Sequence, residues 1–172
     1  MDASSVFKDS LPTTPDSLIA LLTSLNISFT KYTHPPLRTV EDAKAHRGDM
    51  LGTHIKNLYL RDRKKRNFLV VTEEDRPIDL KVLGENIGCD RLSFGSADRL
   101  FEMLGVRPGA VSPFALVNDS EKKVQLVFDA YLVDQLSLYA HPLVNDITLG
   151  VKVLDLIRFF DYTGHKPHIL NF

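Results

Sequence analysis

Four short stretches of this 172-residue chain carry side chains whose types and spacing suit chemistry on a polar substrate. The first is Lys56-Asn57, inside the alternating run Ile55 to Leu60. In a strand, Lys56 shares a face with Leu58 and Leu60, while Asn57 and Tyr59 point the other way. A lysine so placed either packs its stem and lets the ammonium reach water, or holds a cation at a pocket mouth, where it binds a phosphate or a developing oxyanion. The second stretch is Arg61-Asp62-Arg63-Lys64-Lys65-Arg66, which is either a solvated turn or a contact to a phosphate backbone, with Asp62 diluting its charge. The third, Arg107 to Phe114, has two prolines and a glycine that define a loop. It is a turn before a strand, or a row of backbone N–H groups for a carbonyl or carboxylate oxygen. The fourth is His141-Pro142-Leu143-Val144-Asn145-Asp146, where the polar groups satisfy a turn or His141 bonds a substrate hydroxyl or water. Residue pattern alone leaves each of these pairs open.

Other chemistries are narrowed by what the chain lacks. Cys89 is the single cysteine, so an internal disulfide and a cysteine-rich zinc site are excluded, and Cys89 reads as a small packed residue in a reducing compartment. His34, His46, His54, His165 and His168 show no metal-ligand spacing, and His165 and His168 have no acidic partner nearby in sequence; no metal or cofactor is expected. Neither a Gly-x-Gly-x-x-Gly, nor a Walker loop, nor a Gly-x-Ser-x-Gly elbow occurs. A net charge of -1 argues against a protein that coats nucleic acid non-specifically but leaves room for a local basic patch. No apolar run approaches membrane-spanning length and the first residues do not form a secretory signal, so no membrane partner and a cytoplasmic location are expected.

The elements that must position these residues are legible in outline. Residues 1–13 are polar and read as a flexible lead-in. Thr14 and Pro15 open a helix that ends at Asn26, and Ile27 to Tyr32 reads as a strand. A helix over Val40 to Ala45 precedes a hairpin, Ile55–Leu60 and Asn67–Thr72, with a charged tip. Helices are expected over Asp79–Asn86, from Ser96 to before Gly105, and over Val153–Tyr162 capped by Gly164, with one or two turns in Asp129–Gln135. Leu92–Phe94, Phe114–Val117, Val124–Phe128, Leu136–Ala140 and Ile147–Val151 are predicted strands. Short strand-to-strand joins make this a single α+β domain, 14–172, with a mixed, largely antiparallel sheet flanked by helices.

Read together and in order, five segments resemble the YbaK/prolyl-tRNA synthetase-associated editing domains: Lys56–Lys65, Asp79–Lys81, Arg91–Ser96, Leu104–Phe114 and His141–Asn145. The resemblance runs from about Asp16 to the C-terminus and is closest to free-standing ProXp-ala (PrdX-type) proteins, which remove alanine from tRNA for proline. The family's lysine falls on Lys56, its Gly-x-x-x-Pro loop on Gly109 to Pro113 and its histidine on His141; Asn57 and Asn145 also match. Leu143 stands where the subgroup often has asparagine, Asp146 where it has threonine, and Ser112 replaces a frequent threonine.

The resemblance implies a cofactor-independent aminoacyl-tRNA deacylase acting at the acceptor end of mischarged tRNA, with a transient contact to prolyl-tRNA synthetase. Lys56 would anchor the terminal phosphate or ribose. N–H groups around Gly109 to Ser112 would hold the carbonyl oxygen, and Asn57 and His141 would orient a water or ribose hydroxyl. Ala110, Val111, Pro113 and Asn145 would shape the amino-acid pocket, and Arg61, Arg63, Lys64, Lys65 and Arg91 would meet the tRNA body. Rival readings are a deacylase for cysteine on the same tRNA, a non-catalytic module that binds aminoacyl-tRNA or a synthetase, and a small-molecule hydrolase.

Overall fold

Five of the six α-helices in this chain start where short polar side chains take up the free N–H groups of a first turn. Thr14 accepts from Ser17 at the head of α1 (Pro15–Ser24), and Thr39 and Asp42 form a reciprocal capping box on α2 (Val40–Ala45). Asp79 caps α3 (Leu80–Ile87) and Ser96 caps α4 (Ala97–Leu104). Asp129 opens the short α5 (Ala130–Val133), and α6 (Val153–Thr163) ends on Gly164, whose φ of 77° is readily met by glycine.

In the computed structural model, which describes residues 1–172, eight strands form one sheet. They are β1 (Phe29–Thr33), β2 (Thr53–Arg61), β3 (Asn67–Glu73), β4 (Ser93–Phe94), β5 (Val124–Asp129), β6 (Ser137–Ala140), β7 (Ile147–Lys152) and β8 (His168–Leu170). Their order is β1-β7-β6-β2-β3-β5-β8, with β4 added to the far end of β2. Four of the seven pairings are antiparallel and three parallel, so the sheet is mixed as expected. Strand β3 is buried on both faces, Leu69 and Val71 joining the larger core and Phe68 and Val70 the smaller one. Helices α1, α4 and α6 cover the first face through Leu18, Leu100 and Phe159, and α3 covers the second through Leu83.

Phe114–Val117 is not a strand but lies in a 3-10 helix, Pro113–Asn118. Ser112 accepts from Phe114 N at its head and Pro113 sits in its first turn, so the prolines that close the preceding loop also start a helical turn. Residues 1–13 hold a second 3-10 helix, Ser5–Ser10, and are tied down rather than loose. Both oxygens of Asp146 accept from Ser5, at 3.0 Å from N and 2.6 Å from Oγ, and Asn145 N donates to Ala3 O at 2.9 Å. The segment's polarity masked this because its partners lie 141 residues away. His165 also has an acid after all: it is buried, with Nε2 2.8 Å from Asp119 Oδ2.

The buried carboxylate of Asp129 ties several of these elements together. It accepts from Thr72 Oγ1 at 2.7 Å, from Arg76 Nε at 2.8 Å and from Tyr131 N at 3.0 Å. Asp129→Ala leaves Arg76, Thr72 and the α5 cap without their acceptor, and is expected to destabilise the chain by about 3–5 kcal/mol. Urea unfolding checks this; a loss under about 1 kcal/mol would show that solvent replaces the carboxylate.

Candidate active site

Strand β2 carries Lys56 and Asn57 to the one stretch where its second edge has no partner. In the ladder with β3, Glu74 N donates to His54 O and Asp62 N to Arg66 O. Ladder alternation then turns the N–H and C=O of even-numbered residues towards β3 and those of Asn57 towards the opposite edge. On that edge, pairing with β6 stops at His54 and pairing with β4 starts at Leu60. A groove of about 220 Å³ fills the gap. Lys56 and Asn57 form its floor, Gly109 and Val111 one wall, and the Leu37–Ala43 segment, Glu74 and His141 the remainder. Asn57, His141 and Glu74 also line an adjoining recess of about 70 Å³, backed by Met50, His54, Ile55 and Tyr139.

The side chains of this groove are set by specific bonds. Lys56 Nζ donates to the carbonyl of Arg76, the residue whose guanidinium is gripped by Asp129. Asn57 Oδ1 is buried with no partner, so a donor brought by a ligand would complete it. His141 Nδ1 lies 2.7 Å from Ile147 O. A carbonyl only accepts, so Nδ1 carries the hydrogen and Nε2 is left with its lone pair. Burial, reinforced by His34 nearby, pushes His141 below its ordinary value of 6.5 and keeps it neutral at pH 7. Thr148 Oγ1 bridges the two rings, 2.7 Å from His34 Nε2 and 3.5 Å from His141 Nδ1.

In the loop, Gly109 adopts φ +95°, and a Cβ there would sit 3.3 Å from Asn145 Nδ2. Ala110 N donates to Arg107 O at 3.0 Å and is thereby spent, leaving Gly109 and Val111 facing the groove. Ala110, Ser112 and Pro113 are buried, and the Ser112 hydroxyl is turned to its cap on Phe114. Asn145 clamps Leu37 from both sides: its Nδ2 donates to Leu37 O and its carbonyl accepts from Leu37 N, each at 2.9 Å. It therefore positions the groove's far wall. The three departures from the family pattern lie off the groove walls. Leu143 is buried at φ 72°, a conformation asparagine tolerates better, while Asp146 holds Ser5 and Ser112 serves as a cap.

The basic residues are elsewhere. Arg61, Arg63, Lys64 and Lys65 form the β2–β3 tip, starting four residues or roughly 13 Å along the strand from Asn57. Arg63 N donates to Asp90 O at 3.0 Å, which brings the loop carrying Arg91 alongside. Asp62 organises this tip: it is buried and accepts from Arg66 N at 2.8 Å and Arg66 Nε at 2.6 Å. Burial also pushes the Cys89 thiol up from its ordinary value of 9.0, away from nucleophile chemistry. Sequence reasoning missed Arg47 and Glu74, an ion pair on the recess wall, and the His34–Thr148 link. Glu73-Glu74-Asp75 reads as an acidic surface turn, and nothing local marks Glu74 as buried.

The family model for the aminoacyl-tRNA editing domain matches residues 34–159, a span that holds the whole groove. The chain belongs to the aminoacyl-tRNA editing domain family. This membership carries the enzyme class expected from the sequence, an aminoacyl-tRNA hydrolase. The editing domain is 39% identical over 150 residues to the prolyl-tRNA editing protein ProX of Acetoanaerobium sticklandii, covering 87% of this chain and 92% of that one. It is also 39% identical over 153 residues to prolyl-tRNA synthetase associated domain-containing protein 1 of Danio rerio, covering 88% and 83%. A more distant relative, at 28% over 165 residues and 92% of each chain, is the multifunctional Ser/Thr-tRNA deacylase ProXp-y of Escherichia coli. Among solved structures, a candidate trans-editing enzyme for prolyl-tRNA synthetase shares the fold with a TM-score of 0.63 at 18% identity, covering 84% of this chain and 87% of that one.

Burial lowers His54 as well as His141, so both rings stay neutral in the folded editing domain at a pH where the unfolded chain protonates them. The unfolded state then binds more protons below 6.5, and stability falls as pH drops from 6.5 towards 5, with little change from these rings above it. Urea midpoints measured across pH 5–8 are expected to show that fall, and His141→Gln to lessen it. A His141→Gln profile parallel to the wild type would mean the ring is charged when folded.

Proposed function

We propose that this editing domain works in trans on mischarged tRNA for proline, hydrolysing the ester that joins alanine to the terminal adenosine. The observation that carries the reading is the groove itself. An unpaired strand edge, a neutral imidazole with a free lone pair, an unsatisfied amide oxygen and a lysine ammonium converge there beside a glycine loop. An aminoacyl ester is already activated. Its hydrolysis needs a placed water and a stabilised oxyanion, not a protein nucleophile. In this reading His141 Nε2 accepts from the attacking water or the free ribose hydroxyl. Asn57 Oδ1 accepts from the substrate's α-ammonium, Gly109 and Val111 N–H groups meet the carbonyl oxygen, and Lys56 neutralises the terminal phosphate. The recess of about 70 Å³ suits a methyl or similarly small side chain, and steric exclusion of a larger ring is the easier direction of selection. The exposed cations Arg63, Lys64, Lys65 and Arg91 would meet the tRNA backbone beyond the acceptor end. The name of the Danio rerio relative supports a transient association with prolyl-tRNA synthetase.

Release of labelled alanine from alanyl-tRNA for proline, beside the cysteinyl, seryl and prolyl forms, tests this directly. Rapid loss of alanine with proline spared is expected. Faster loss of cysteine or serine would reassign the recess, and binding without turnover would make the domain a non-catalytic module. Lys56→Ala is expected to lower kcat/KM about a hundredfold or more with the fold intact; wild-type turnover in that variant sinks the role given to the ammonium. Neutralising Arg63 and Lys64 together should flatten the dependence of log affinity on log salt by about 1–2, at roughly 0.7–0.9 per phosphate contact. An unchanged slope removes the hairpin tip from the tRNA interface.

A further inference from the structure

Beyond Gly109, the groove adjoins a second cavity of about 790 Å³, within the size range of small-ligand sites. Arg38 and Gly109 line both spaces, so a strand of RNA leaving the groove past these residues enters the cavity. Its chemistry suits a nucleotide. Arg107 lies over the Phe101 ring, 5.2 Å from guanidinium carbon to ring centroid, so a cation and an aromatic face on which a base can stack stand side by side. Arg107 is held there by Ser10 Oγ at 2.8 Å. Asn145, only 3% exposed, lines the same cavity with Oδ1 unpartnered, its amide nitrogen being committed to Leu37. Asp98, in the first turn of α4, and Asp2, whose Oδ1 accepts from Ser4 N and Oγ while Oδ2 is left over, add carboxylates, which accept from an exocyclic base amine and repel a phosphate. The phosphate is thereby directed to Arg38 at the shared mouth.

We infer that this cavity is a subsite for the nucleotide immediately 5′ of the reacting terminal nucleoside, one whose base carries an exocyclic amine. The inference rests on the groove being the site of an RNA 3′ end. The N-terminal segment, through Asp2 and the Ser10 contact to Arg107, is then part of substrate recognition.

The test is equilibrium titration of the full chain with the dinucleotide CpA, with UpA and with AMP, followed by calorimetry or NMR shifts. CpA is expected to bind at least fivefold more tightly than AMP and more tightly than UpA. Phe101→Leu, which keeps apolar packing, and Arg107→Gln should each erase that advantage while leaving AMP affinity unchanged. CpA binding no tighter than AMP, or no CpA binding at millimolar concentration, overturns the subsite. Equal affinity for CpA and UpA overturns the carboxylate contact. Titration needs no turnover, so the two readings separate. A chain that prefers CpA but deacylates no charged tRNA keeps the subsite and loses the proposed reaction; one that deacylates without any CpA preference does the reverse.

Discussion

A carboxylate with 1% of its surface exposed must be met by hydrogen-bond donors, and Asp129 has them from three elements. Thr72 ties it to β3, Tyr131 N to the start of α5, and Arg76 to the turn after β3. The consequence for chemistry is indirect. Arg76 is held by its guanidinium, so its carbonyl is fixed where Lys56 Nζ donates to it. The position of the groove's ammonium thus follows from a buried ion pair on the far side of the strand. Asp129 touches no groove atom, yet its loss would release the lysine as well as the fold.

The sheet itself makes room for the site by being incomplete. β2 pairs with β3 from Ile55 to Arg61 but with β6 and β4 only at its ends. An exposed strand edge ordinarily invites association with another chain. Here the gap is walled by α2, by the Gly109 loop and by the turn containing His141. Backbone groups of Asn57 are left facing a small groove walled by protein, where hydrogen bonds to a ligand are stronger than in water. The same desolvation keeps His141 neutral, and the Ile147 carbonyl decides which nitrogen carries the proton.

Charge is distributed with equal economy. The chain is close to neutral overall, yet four exposed cations, Arg63, Lys64, Lys65 and Arg91, come together at the hairpin tip, where Asp62 is buried against Arg66, and Arg38 and Arg107 line the second cavity. Formal net charge does not reveal such local clustering.

Much of this was legible along the chain. Capping residues and glycines marked α1, α2, α3, α4 and α6 closely, because those signals act within one helical turn. Alternation marked the β2–β3 hairpin, and with it the opposite orientations of Lys56 and Asn57. The family pattern nominated Lys56, Asn57, Gly109 and His141, which meet in one groove though they span 86 residues. What only the tertiary structure decided are pairings without a local signature. The Ser112 hydroxyl became a helix cap, Phe114–Val117 a helical turn, Asn145 a clamp on Leu37, and residues 1–13 a segment tied to Asn145 and Asp146. Each depends on a partner tens to more than a hundred residues away or on burial imposed by the packed sheet. Local sequence encodes the propensities of a turn or strand; which polar group is left without a partner is settled only when distant segments close over it.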